Sequence, residues 1–201
     1  MSFFEDPKNA GMAIIIVGIL EMVFAAISIV LGLIGIEDDD GNKYFTIGSA
    51  VGAIGSLICG FIYFGFGKRV KGGAIPEKID ILATFVRIVG VCVIIGGIFS
   101  CIGNIVDDVD DIGGEIVGGI ITILLGVLIC WVAGKINDGR QTTGDKVIWI
   151  ILLVIFVLCI IMAVIEMLSI IGIVFGICHL IIYVFMLMLL LNADVKAAMG
   201  M

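Results

Sequence analysis

Residues 147–191 read VIWIILLVIFVLCIIMAVIEMLSIIGIVFGICHLIIYVFMLMLLL, 45 positions without a lysine, arginine or aspartate. As one helix, at 1.5 Å per residue, the stretch would be about 67 Å long, more than twice the ~30 Å of a bilayer's hydrocarbon core. A turn is therefore required. The central polar cluster Glu166-Met167-Leu168-Ser169 supplies it, with Ser169 suited to cap a following helix. The segment reads as a tight hairpin of two spans, Val147–Met167 and Ile170–Leu191, with Glu166 as a turn residue at its outer end.

The same reading applies upstream. Apolar runs cover Ala10–Ile36, Phe45–Gly67, Ile79–Val106 and Ile116–Gly134, making six spans in 201 residues. Hydrophobic residues are 62% of the chain and charged residues 14%, with mean hydropathy +1.32. A water-soluble fold has no interior large enough for that much apolar surface. The expected fold is an all-α integral membrane protein of six transmembrane helices in three hairpins, one polytopic domain over residues 1–201 with no soluble domain. The first run is too long for a signal-peptide core and reads as a retained helix. No strand is expected.

Charge orients the bundle. Lys68, Arg69, Lys71 and Lys78 follow span two, and Lys135, Arg140 and Lys146 follow span four. Lys8 and Lys196 flank the termini. The breaks after spans one and three hold acidic runs, with Lys43 as their only base. By the positive-inside rule both termini are cytoplasmic in a cell membrane and the acidic loops lie outside. The net charge of −7 thus conceals a basic face suited to anionic lipid headgroups. That face is too thin, and too poor in aromatics, for nucleic acid.

A shift of 71 residues places Gly32 on Gly103, Asp39-Asp40 on Asp110-Asp111, and Gly55 with Cys59 on Gly126 with Cys130. Hairpins 10–67 and 79–134 accordingly read as a tandem repeat, both in the same orientation. In layout the chain resembles other small six-span proteins built from three hairpins, such as the acid-resistance membrane family. The likeness is of layout, and no motif carries an assignment.

Helices in lipid associate through small residues that let backbones approach. Span one presents Gly18, Glu21, Ala25, Ser28, Gly32 and Gly35 on one face. Span three presents Arg87, Gly90, Gly97 and Asn104, and span four Gly119, Gly126 and Ala133. Span two carries two stripes, Gly48/Gly52/Gly55/Cys59 and Ser49/Ala53/Ser56/Gly60. The pair admits an internal neighbour or another subunit, hence a homo-oligomer or a larger membrane complex. Span six opens with Gly172 and Gly176. Span five is nearly all large side chains, Trp149 and Phe156 included, and is expected to face lipid.

Three ionisable groups fall within spans on these small-residue faces: Glu21, Arg87 and His179. A lone charge at mid-bilayer costs roughly 3 kcal/mol, so Glu21 is expected to pair with Arg87 or to be neutral. The three form either an ion path or a structural lock, the lock being favoured. The six cysteines all lie inside spans and read as apolar fillers. Neither metal site nor cofactor is expected, apart from weak cation binding by Asp38, Asp40, Asp108 and Asp110, whose spacing does not match an EF-hand. No nucleophile–base constellation is visible, so no enzymatic activity is expected. The preferred function is an accessory or scaffolding subunit that associates through glycine-rich faces. The alternative is a small proton or cation channel or carrier.

Overall fold

The computed structural model describes residues 6–37, 43–107, 112–137, 143–168 and 172–201. Among them are six helices long and apolar enough to cross a membrane. They are α1 (Pro7–Ile34), α2 (Ile47–Lys71), α3 (Lys78–Val106), α4 (Ile112–Ile136), α5 (Thr143–Glu166) and α6 (Gly172–Leu191). Each matches one apolar run, with ends displaced by a few residues. The turn within 147–191 falls where the polar cluster stands: α5 ends at Glu166 and α6 starts at Gly172.

Two features were not anticipated. A short antiparallel ribbon, β1 (Ile36–Glu37) with β2 (Lys43–Phe45), stands between α1 and α2. A sixth-span extension, α7 (Ala193–Ala198), follows α6, capped by Asn192, whose side chain accepts from the Asp194 amide. Helix ends also differ for physical reasons. Gly35, expected on a packing face, instead has φ +70° and no neighbour near its side-chain position, so it ends α1 in a left-handed cap. Gly73, at φ +67°, does the same beyond α2, with the Ala74 amide donating to the Arg69 carbonyl. The basic residues Lys68, Arg69 and Lys71 occupy the last turn of α2, where positive charge complements the helix dipole.

The helices contribute to two compact units. One comprises Gly18–Ile62 and Ile88–Cys130. Here α2 lies between α1 and α3, and α3 between α2 and α4. Glycines form all three seams. A β-carbon on Gly60 would stand 2.8 Å from the Gly18 carbonyl oxygen, and one on Gly126 would stand 2.8 Å from that of Gly90. Gly32 faces the Thr46 carbonyl, Gly97 that of Gly119, and Gly103 that of Gly48. Gly55 packs on the Phe99 ring. Members of both stripes of α2 are taken up within the chain, Gly48, Gly55 and Cys59 toward α3 and Gly60 toward α1, while Ser56 is exposed. Gly52 is the exception, with open space at its β-position. It is rotated off the heptad line that joins Gly48 to Gly55.

The other unit comprises Met1–Val17, Tyr63–Arg87 and Trp131–Met201. Gly11 and Gly67 oppose each other between α1 and α2, each facing the other's carbonyl. Phe66, Phe85 and Phe156 then link α2, α3 and α5, with centroids 6.3 and 6.5 Å apart. Phe156 is thus buried, not lipid-facing, and Trp149 donates from its indole nitrogen to the Leu190 carbonyl at 3.0 Å. The indole N–H satisfies one of the last carbonyls of α6, which lack helical donors. Ile148 and Leu152 of α5 are buried as well, while others, such as Ile151, Val154 and Leu158, are exposed. On α6, Gly176 packs on the Ala163 carbonyl and Met167 of α5. Val195 and Met199 bury the inner side of α7, and Lys196 lies over Trp149.

Substitutions at the seams test this packing. Gly60→Val and Gly126→Val should each cost about 1–3 kcal/mol, the scale of overpacking against unyielding backbone. Gly52→Ala and Gly118→Ala have open space and should gain up to about 1 kcal/mol of helix propensity. Unfolding of the four variants in detergent is the measurement; equal behaviour of the two classes would refute the seams.

Candidate functional site

The ionisable groups within the apolar helices occupy unlike settings. Glu21 lies midway along α1. Its Oε2 is buried and has no hydrogen-bond partner. The nearby small residues of α1, Gly18 and Ala25, are buried, which follows from their place on the seam with α2. Arg87 is exposed on α3. An exposed position lets its long side chain carry the charge toward an interface while its stem covers apolar surface.

His179 has a different partner from those proposed on sequence grounds. Its Nδ1 stands 2.8 Å from Oε2 of Glu166. The reason is the turn. Because α5 ends at Glu166 and Gly176 lets α6 lie against Ala163 and Met167, the carboxyl at the end of one helix reaches the imidazole two turns into the next. Glu166 is thus more than a turn residue. The pair is half-buried, with side-chain exposures of 26% for His179 and 35% for Glu166. His179 also lies in a row of rings along α6, 6.0 Å from Phe175 and 5.6 Å from Tyr183, stacked on the latter. Spacings of four residues put all three on one helix face.

A second polar cluster stands between α2 and α3, and sequence reading did not single it out. Asp107, just past the end of α3, accepts from the Gly48 amide at 2.8 Å and from the Thr46 hydroxyl. Thr46 caps α2: its Oγ1 accepts from the Ser49 amide at 3.1 Å while the Ser49 hydroxyl accepts from the Thr46 amide at 2.9 Å. This is a capping box with serine in the usual place of glutamate. The Asp107 carboxylate adds negative charge at the positive end of α2. The Thr-x-x-Ser spacing before an apolar run was a legible signal for the cap; its partner 61 residues away was not. Asp107 belongs to the acidic run offered as a cation ligand, yet both of its oxygens are engaged by the chain itself. Asp38, Asp40, Asp108 and Asp110 lie outside the described residues.

The thiols form no disulfide. Cys59 donates to the Cys92 carbonyl at 3.8 Å across the α2–α3 seam, in keeping with a small filler. Among the described residues no group of three or more His, Cys, Asp or Glu side chains is placed to hold a metal ion. The glycines cited for packing stand as described: Gly18, Gly32, Gly48, Gly55, Gly97, Gly126 and Gly176 in contact, Gly52 in open space, and Gly172 opening α6.

Comparison with known proteins adds no assignment: no protein family, curated protein or solved structure matches this chain.

The Asp107 clip lends itself to a double-mutant cycle. Asp107→Ala and Thr46→Ala should each destabilise the fold by about 1 kcal/mol, the usual scale for a lost cap or a charge at a helix end. Their effects should not add, because the two side chains share a hydrogen bond. Additive losses in chemical unfolding would show that the clip does not act as a unit.

Proposed function

We propose that this chain is a non-enzymatic, multi-pass integral membrane protein, an accessory or scaffolding subunit with both termini on the cytoplasmic side. The observation that carries the reading is the outer surface of its six long helices. Leu33 of α1, Ile121 and Leu124 of α4, and Ile150 and Leu158 of α5 are all exposed, with no polar face to meet water. Hydrocarbon accepts such a surface; water does not. The charge distribution supports the orientation, with nine bases on the termini and the breaks after spans two and four.

The packing refines what such a subunit would use to bind. Most glycines on the helix faces are consumed inside the chain. Gly52, Gly65, Gly96, Gly118 and Gly134 keep open space, and these are where a partner helix could approach closely. A homo-oligomer and a mixed membrane complex both remain within this reading.

A second reading, a small proton or cation carrier, is favoured by one observation. Glu21 places a buried carboxyl oxygen without a partner in the middle of an apolar helix, and intramembrane acids of that kind are default candidates for ion pathways.

The two readings part in experiment. The chain should stay in membranes through alkaline carbonate, and tags on both ends should be protected or digested together. Mild detergent extraction followed by native mass measurement should give a complex with another membrane protein. A lone species that conducts protons in liposomes, with flux abolished by Glu21→Gln, would replace the subunit reading with the carrier.

A further inference from the structure

A cleft of about 300 Å³ lies along the α5–α6 hairpin, lined by Cys159, Met162, Ile165, Glu166, His179 and Tyr183 among others. Its closely coupled polar pair is Glu166 and His179, at 2.8 Å. Around that pair the walls are aliphatic or aromatic. Met162 and Ile165 at its rim are 62% and 51% exposed, so the opening is on the apolar flank of the hairpin. A ligand entering there arrives from the hydrocarbon phase rather than from water.

The pair constrains what that ligand can be. With Glu166 ionised, Nδ1–H of the imidazole donates to the carboxylate and Nε2 accepts; with a further proton on the ring, Nε2 donates. The same position therefore serves a carbonyl oxygen in one protonation state and a hydroxyl in the other. Tyr183, stacked on His179, also lines the cleft and offers an aromatic contact to a planar head. A metal ion is a poor fit, because one imidazole and one carboxylate fall short of the four ligands a structural site needs. A phosphate headgroup would meet the Glu166 carboxylate, like charge against like. The volume is at the low end for ligand clefts, room for a ring head whose tail stays in lipid.

We infer that this cleft binds the ring of a membrane-soluble quinone or its quinol. His179 hydrogen-bonds a ring oxygen, Glu166 holds the imidazole in position, and Tyr183 packs against the head. The inference goes beyond the subunit reading and relies on it only for the ligand's route through lipid.

The test uses the full chain in mild detergent, photolysed with a decyl-tailed azidobenzoquinone, with adducts mapped by peptide mass. Label should fall on the α5–α6 hairpin and be displaced by excess decylubiquinone. It should not be displaced by decylbenzene, which has the ring and tail without the oxygens. His179→Phe keeps an aromatic ring and loses the hydrogen bond; labelling should drop about tenfold, the scale of a hydrogen bond to an ionised group. Glu166→Gln should fall between the two. Label spread over other helices, or equal displacement by decylbenzene, would overturn the inference with the unaltered chain alone. So would a folded His179→Phe that labels as the parent does. Carbonate extraction tests the membrane reading separately, so failure of either is distinguishable.

Discussion

Backbone touching backbone is the contact on which the architecture rests. At Gly60, Gly67, Gly103, Gly126 and Gly176 the place of a β-carbon is taken by a carbonyl oxygen of the facing helix. That geometry directs a Cα hydrogen at an oxygen, a contact worth ~0.5–1 kcal/mol each. In lipid it matters more than side-chain burial, because leucine gains nothing by leaving acyl chains for another leucine. Close approach then supplies dispersion and weak hydrogen bonding together. The glycine loses helix propensity, at roughly 1 kcal/mol relative to alanine, and only a seam that depends on contact repays that loss.

The two units solve the same problem with different material. Around Gly18–Ile62 and Ile88–Cys130 the seams are built on glycines that face backbone carbonyls and side chains such as Met22, Ile94 and Phe99. Around Tyr63–Arg87 and Trp131–Met201 they are filled by Phe66, Phe85 and Phe156, by the Trp149–Leu190 hydrogen bond and by α7. Each unit still leaves a cleft, one of about 370 Å³ beside Gly32, Thr46 and Asp107 and one of about 300 Å³ along α5 and α6. Along α5 and α6, Gly176 packs on Ala163 and Met167, and the cleft lies beside that contact, lined by Met162, His179 and Tyr183 among others.

Polar groups follow the same logic of reach. Asp107 and Glu166 both sit at the end of a helix, where backbone geometry frees the chain to turn and a carboxyl can extend to a neighbouring element. Asp107 reaches the start of α2; Glu166 reaches back to His179. Glu21, mid-helix, has no such freedom, and one of its carboxyl oxygens is buried without a partner. Arg87 sits on an exposed face, where a guanidinium can leave the apolar surface. Sequence reading grouped Glu21, Arg87 and His179 because all three are ionisable and lie on small-residue faces. Glu166 read only as a turn residue, since nothing in linear order tells which side chain a turn will fold back upon.

The number of helices, their ends to within a few residues, the internal turn near Glu166 and the alternation of basic and acidic breaks were all written in the chain. Each depends on local composition: the length of an apolar run, a glycine where φ must be positive, a Thr-x-x-Ser cap. The heptad recurrence of glycine also marked which faces would meet, while leaving open whether α2 met its own chain or another. Tertiary structure decided partners. It set Gly60 of α2 against α1 and Gly48 and Gly55 against α3, left Gly52 outside both, turned Phe156 and Trp149 inward, gave His179 to Glu166 and left an oxygen of Glu21 alone. Those outcomes depend on the rotation and offset of each helix about its axis. Rotation and offset are set by the summed fit of whole faces and are carried by no single residue.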